Sequence, residues 1–302
     1  MSDNKCLNIG GQAVIEGVMM RAPGQLAIAV RTPDNGIVIR KEPIKIDHSK
    51  LFKLPFFRGM VGLYDALVLG VKALNFSAQH SGNEDEVLSK KETFLSLALG
   101  LGLGLLLFVF LPLWLTNLLK YVFPLIEQSF LLFNAVDGVI RVIFFLIYIV
   151  AISQMKDIKR VFEYHGAEHK SIFTYEAGLE LTVENARKMS RLHPRCGTSF
   201  LLIVMLVAIV VFSMIPKDSD FIIKLGSRVV LLPIIAGISY EVLKLSGRYS
   251  GNSVVRILIA PGLWLQRLTT REPDDSQLEV AITSIKAALA DENVEMDGVK
   301  YV

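Results

Sequence analysis

Cysteine is nearly absent from this chain: Cys6 and Cys196 are the only two in 302 residues. Two cysteines cannot build a disulfide framework, so a disulfide-stapled fold is not expected. Charge of one sign is also lacking, since 32 Lys and Arg face 29 Asp and Glu, a net +3. No basic run interleaves with aromatics, which excludes nucleic acid as a partner. The opening MSDNKCLNIGG has no charged-then-apolar pattern, so no cleaved targeting segment is expected. No internal repeat is visible, and intramembrane polar groups are few. Both facts weigh against a transporter or channel, which oligomerisation alone could rescue. Histidine is scarce at five residues, so any clustering of it carries information.

What the chain has in excess is apolar residues: 52% of the total, with a mean hydropathy of +0.47. Soluble domains rarely run that apolar. The apolar residues gather in blocks close to the ~20 helical residues that cross a bilayer. Four such blocks are expected to span: Phe94–Leu119, Leu131–Ser153, Ser199–Ile215 and Arg228–Leu243. Pro112 is placed to kink the first. The second contains Asp137 and Arg141, four residues apart and so able to pair on one helix face. Pro233 lies inside the fourth, and Glu241 near its end.

Loop charge orients these spans. Segment 1–91 carries twelve Lys or Arg, segment 154–197 carries eight and the tail after Leu243 carries seven. The loops 120–130 and 216–228 carry one and three. Basic loops stay in the cytoplasm. The expectation is a multi-pass membrane protein with both termini in the cytoplasm.

Six regions follow: a β-rich domain (1–54), an interfacial helix and polar linker (55–92), spans one and two (93–153), a His/Cys-bearing helical loop (154–197), spans three and four (198–243), and a tail (244–302). In the first, Gln12–Met20 reads as strand. Gln25–Arg31 and Ile37–Lys45 flank Asp34-Asn35-Gly36, a hairpin signal because Asn-Gly tolerates positive φ. A small antiparallel sheet is predicted. Arg58, Asp65 and Lys72 put a narrow polar stripe on an apolar helix over 55–79, which suits the membrane interface or a buried helix of the sheet domain. Residues 254–268 are apolar but broken at Pro261-Gly262, which suggests an interfacial or re-entrant segment. Leu278, Ile282, Ile285 and Leu289 mark one stripe of a terminal helix, capped by Asp274-Asp275, that docks on the sheet domain.

Three of the five histidines fall in the 154–197 loop. His165 and His169 are four apart, so a helix presents both imidazoles on one face, a spacing that suits two ligands of one metal. Glu168 shares that general side and could act as a base. The order His-x-x-Glu-His inverts the commoner zincin motif. Downstream, His193-Pro-Arg-Cys196 offers two more good ligands for zinc or iron, and Arg195 would favour a thiolate. All four would close a tetrahedral structural site. Three would leave a position for water. Glu241 approaches the same inner surface as a further ligand, a general base or a partner of Lys244 or Arg248. Glu16 and Arg21 stand in an otherwise apolar strand region, as a buried ion pair, as site-lining groups or as an exposed pair at a strand end.

Five stretches resemble the YqhQ family of bacterial membrane proteins: GGQAVIEGVMMR at 10–21, FFRG at 56–59, EYHGAEHK at 163–170, HPRCGTSF at 193–200 and APGLWLQRLTTREPDDSQLEVAI at 260–282. The resemblance implies a metal-dependent enzyme and points at His165, Glu168, His169, His193 and Cys196. It implies no substrate. Two functions are carried forward. One is a membrane-bound hydrolase using a divalent metal, zinc by ligand type, on a lipid head group, a membrane peptide or a cytoplasmic metabolite. The other is a scaffold for a membrane or cytoplasmic protein partner, with a structural metal or a hydrogen-bonded His/Cys core. Besides the bilayer and such a partner, a homo-oligomer stays open.

Overall fold

The computed structural model describes residues 9–44, 54, 57–82, 89–215, 219–248, 252–290 and 299–302. Cys6, the centre of the polar linker and the Arg248 side chain lie outside the described residues. The chain is mostly helical, with one small sheet near its start.

Strands β1 (Gly10–Val14), β2 (Gly17–Ala22), β3 (Gln25–Arg31) and β4 (Ile37–Pro43) form an antiparallel meander. The stretch read as one strand over Gln12–Met20 is two, folded at Ile15-Glu16, where Glu16 adopts φ 49°. The Asn-Gly turn forms as expected, with Asn35 at φ 64°. A short β5 (Val299–Tyr301), with no signal in the sequence pattern, adds in parallel to β4.

Side chains alternate across the sheet, and both faces are covered. Val14, Met19, Leu26, Ile28, Val30 and Val38 bury against Ala73 and Phe76 of α1 (Phe57–Ser81). On the other face, Val18, Met20, Ala29 and Ile39 pack on α6 (Lys156–Glu176) and α12 (Asp275–Leu289). The terminal helix therefore docks on the sheet through Leu278, Ile282 and Ile285, as its stripe predicts. A capping box between Asp274 and Gln277 starts it.

The remaining helices are apolar, except the short α7. α2 (Lys90–Leu105) passes through a π-helical turn at Leu106–Phe110 into α3 (Leu111–Val122). The π turn sits just before Pro112, which has no N–H to donate back up the helix. After α4 (Pro124–Gln128) comes α5 (Phe130–Ile152). α7 (Val183–Arg187) is a single turn beside α12. α8 (Gly197–Phe212) is followed by α9 (Phe221–Val230), α10 (Leu232–Arg248) and α11 (Ser253–Thr269).

Among the described residues, three helices are long and apolar enough to cross a membrane: Phe57–Ser81, Phe94–Val122 and Leu131–Ile152. There are four if the bent pair Phe221–Val230 and Leu232–Leu245 counts as one span. Of the four blocks expected to span, the first two are among these helices. The third, α8, has only 16 residues, about 24 Å against a ~30 Å hydrocarbon core. The fourth is broken by 47° next to Pro233, whose ring and missing N–H disrupt a continuous ladder. The segment expected to break at Pro261-Gly262 is instead one helix, α11, with Pro261 inside it.

Asp137 does pair with Arg141, at 2.8 Å, but a third member joins them. Arg228 of α9 donates to the other carboxylate oxygen at 2.7 Å. All three are buried, and both guanidinium groups stack on Phe212.

Candidate metal centre

His165 and His169 lie on one face of α6, as their spacing requires. Their ring centroids are 4.5 Å apart. α6 is drawn close to the segment after α11 because Gly166 has no Cβ: one built there would collide with the Arg271 carbonyl. Arg271 N–H in turn donates to the Phe162 carbonyl at 2.8 Å.

Each of the two imidazoles is anchored through Nδ1. His165 Nδ1 lies 2.8 Å from the Thr269 carbonyl, and His169 Nδ1 lies 2.6 Å from the Arg191 carbonyl. A carbonyl only accepts, so both Nδ1 atoms carry the proton and both Nε2 atoms present lone pairs. His165 Nε2 is 3.2 Å from Cys196 Sγ. His169 Nε2 is buried and has no hydrogen-bond partner. Burial holds His169 below the ordinary imidazole range, against the opposing pull of the Cys196 sulfur and the Arg191 carbonyl.

Cys196 caps the N-terminus of α8, where its sulfur accepts from Thr198 N–H at 3.4 Å and contacts the Thr198 hydroxyl at 3.2 Å. The ligand atoms of His165, His169 and Cys196 all lie within 4.8 Å of one another. Bond lengths of ~2.1 Å to nitrogen and ~2.3 Å to sulfur put tetrahedral ligand atoms about 3.4–3.6 Å apart, so small side-chain rotations would close the set around a cation. The orphaned Nε2 and the carbonyl-pinned Nδ1 atoms are what a metal-ligating pair presents.

His193 is not part of the set. Its Nδ1 accepts from Arg195 N–H at 3.3 Å, and its Nε2 points to the Glu176 carboxylate at 3.4 Å. Both ring nitrogens are engaged, so the expected fourth ligand is turned away. Burial lowers its basicity, opposed by the charge of Glu168. Arg195 forms an ion pair with the same Glu176.

Glu168 is buried in the same cleft, one residue from His169. Burial pushes its carboxyl above the usual range; His165, His193 and the Gly11 amide, which hydrogen-bonds it, act the other way. Gly11 is required here, because a Cβ on it would sit 2.8 Å from Glu168 Cγ. The cleft, of about 310 Å³, is lined by Gly10, Gly11, Gln12 and Ala13 of β1 together with His165, Glu168, His169, His193, Arg195 and Cys196.

Glu241 is not among the residues that line the cleft; of the partners expected for it, the Arg248 side chain lies outside the described residues. Arg58 of the FFRG stretch grips its carboxylate, with Nε at 2.7 Å from Oε1. A half-buried carboxylate on an apolar helix thus gains a cation from α1. Glu16 and Arg21 do not pair either. Glu16 accepts from Arg160 Nη2 at 2.6 Å and from the Tyr164 hydroxyl at 3.2 Å, which latches the β1–β2 hairpin onto α6. Arg21 follows Met19 onto the α1 side of the sheet by strand alternation.

The sequence pattern did not single out Gln266, yet it holds the His-Pro-Arg-Cys turn in place. Its Oε1 accepts from His193 N–H at 2.7 Å, and its Nε2 donates to the His193 carbonyl at 2.7 Å and to Ser199 Oγ at 3.1 Å. Its only signal is a glutamine in an apolar run. Gln266→Leu is expected to orphan the buried peptide groups at His193 and to lower stability by about 1–3 kcal/mol. Thermal unfolding in detergent checks this, and an unchanged midpoint would contradict the clamp.

Fold and site together define a class: a mostly helical protein with, among the described residues, three or four helices apolar enough to cross a membrane, and a His/Cys group beside the first strand of a small sheet. The chain belongs to the family described as protein of unknown function DUF1385, which matches residues 54–291. It is similar to "Uncharacterized protein YqhQ" of Bacillus subtilis (strain 168), 41% identical over 297 residues that cover 93% of this chain and 92% of that protein. No solved structure matches.

Proposed function

We propose that this chain is a membrane-bound hydrolase that works with a divalent metal, zinc by ligand chemistry, held by His165, His169 and Cys196. One observation carries the reading: two imidazoles with Nδ1 pinned to carbonyls turn their Nε2 atoms toward one cysteine sulfur. Three protein ligands, rather than four, suit a catalytic site that keeps a position open, whereas a structural knot would be closed. The engagement of His193 with Glu176 and the Arg195 amide favours the open form.

A divalent cation at this position supplies Lewis-acid polarisation and makes water a nucleophile near neutral pH. The chain's own groups do the rest. Glu168 stands in the cleft beside the ligands to take a proton from water and return it to the leaving group. Gly11 lets that carboxyl approach the strand and holds it through its amide. Thr269 and Arg191 carbonyls keep both imidazoles in the Nε2-ligating tautomer.

The membrane arrangement we favour has four spans with both termini in the cytoplasm of a bacterial cell. The basic segments 1–91, 154–197 and the tail then share the inner side. α1 is left out of the count because the sheet covers its second half at Ala73 and Phe76, so that half cannot face lipid all round. α8 and the bent α9–α10 pair make up the third and fourth crossings, packed on each other through Ala208, Phe212 and Ile235.

The test is elemental analysis of the purified full-length protein. About one equivalent of zinc, iron or manganese is expected. Glu168→Gln should keep that equivalent, since Glu168 moves a proton and does not ligate. A protein without stoichiometric metal sinks the reading, and metal loss in Glu168→Gln would make Glu168 a ligand instead.

A further inference from the structure

One wall of the cleft is main chain rather than side chain. It is built by Gly10, Gly11, Gln12 and Ala13 of β1, and two of these have no side chain at all. Among the described residues, β1 is the edge strand of the sheet and is bonded only to β2. Hydrogen-bonded and non-bonded pairs alternate along an antiparallel ladder. The two-residue turn makes Val14 and Gly17 a bonded pair, so Gln12 with Met19 and Gly10 with Arg21 are bonded too. Gly11 and Ala13 then direct their N–H and C=O groups away from β2, along the outer edge, where the Gly11 N–H is taken by Glu168 and the Ala13 N–H and both carbonyls face outward. The Gly11 amide meets the Glu168 carboxyl, which places that edge beside the His/Cys group. Among the described residues, no backbone bond from outside the sheet reaches Gly11 or Ala13.

A free strand edge recognises one kind of chemistry above others. It pairs with the backbone of an extended peptide, which adds as a further strand and is bound with little regard to its side chains. A phosphoester substrate would need cations. Arg195 is the one Lys or Arg that lines the cleft among the described residues, and Glu176 already neutralises it.

We infer that the substrate is a peptide segment in extended conformation, docked along β1 so that a backbone carbonyl lies over His165, His169 and Cys196. This rests on the metal-hydrolase reading above. In the reaction a water oxygen bonds to the carbonyl carbon and the C–N bond breaks. One water proton passes through Glu168 to the departing amine nitrogen. The products are a carboxylic acid, which ionises, and an amine, with no other reactant.

Ala13→Pro tests the docking mode. Proline at an edge position whose N–H points outward removes no ladder bond, so the sheet stands while the outward donor is lost. The probe is a mixed library of peptides of about ten residues, long enough to add as a strand. It is incubated with zinc-loaded full-length protein in detergent, and new termini are read by mass spectrometry. Wild type is expected to cleave. Ala13→Pro should retain its zinc and cleave about tenfold more slowly, the worth of one lost hydrogen bond. If Ala13→Pro fails to assemble, library peptides N-methylated on alternate residues make the same test on wild type, where cleavage should fall in one register only. Zinc retained with no peptide cleaved overturns the peptide substrate and leaves the metal site standing. Absence of zinc overturns the reading beneath it. Cleavage unchanged in Ala13→Pro, or indifferent to N-methyl register, overturns docking by strand addition.

Discussion

Replacing His169 with alanine is expected to take bound metal from about one equivalent to below about a tenth, while His193→Ala keeps it. The two residues look alike in the sequence, and both are buried. They differ in what their nitrogens do. His169 has a pinned Nδ1 and an Nε2 without a partner. His193 uses Nδ1 to accept from Arg195 N–H and Nε2 to face Glu176. Loss of an outer-shell partner of a metal ligand typically costs about 10–100-fold in affinity, and loss of the ligand itself removes a metal bond and costs more. Elemental analysis of both variants, after dialysis against a weak chelator, separates the cases. Equal metal loss in the two would mean that His193 swings inward to ligate, and the site would then be a closed, four-ligand structural one.

Removal of the Asp137 carboxylate is expected to be the most damaging single change among the apolar helices. Asp137 accepts from Arg141 at 2.8 Å and from Arg228 at 2.7 Å, and all three side chains are almost wholly withdrawn from solvent. Asp137→Leu leaves two guanidinium groups facing each other with no anion between them. Breaking a buried ion pair on one side costs about 3–5 kcal/mol, mainly because the remaining charge is uncompensated. Two stranded cations place this variant at the upper end. The triple change Asp137→Leu, Arg141→Met, Arg228→Met should recover most of the loss, since similar apolar volumes can replace an ion cluster at little cost. Chemical or thermal unfolding in detergent reads both. A single variant within about 1 kcal/mol of wild type would show that water or lipid reaches the triad.

The triad also shows where sequence reasoning stops. Asp137 and Arg141 are four residues apart, so helical geometry alone pairs them. Arg228 is 91 positions away from Asp137 and enters through the packing of α9, which no local pattern encodes. The two halves of Glu241 and Arg58 are separated further still. The sequence identified Glu241 as a carboxylate needing a partner in an apolar helix. It could not choose among cations, because that choice depends on α1 lying against α10.

Local periodicity determined much of the protein by itself. The apolar blocks, the Asn-Gly hairpin, the stripe that docks α12 and the shared face of His165 and His169 all follow from repeat lengths of 2 and 3.6 and from the φ preference of Asn35. Span lengths were less legible, because α8 and the α9–α10 break end where caps and Pro233 end them, not where hydropathy falls away. Tertiary structure alone decided which of the four expected ligands converge. A ring nitrogen is available to a metal only if nothing else has claimed it, and the claims are made by groups distant in sequence: Thr269 on His165, Arg191 on His169, Glu176 on His193. It also decided that the near-featureless Gly10–Ala13 strand forms the wall of the cleft, because an edge strand's outward hydrogen-bonding groups exist only once its neighbours are known.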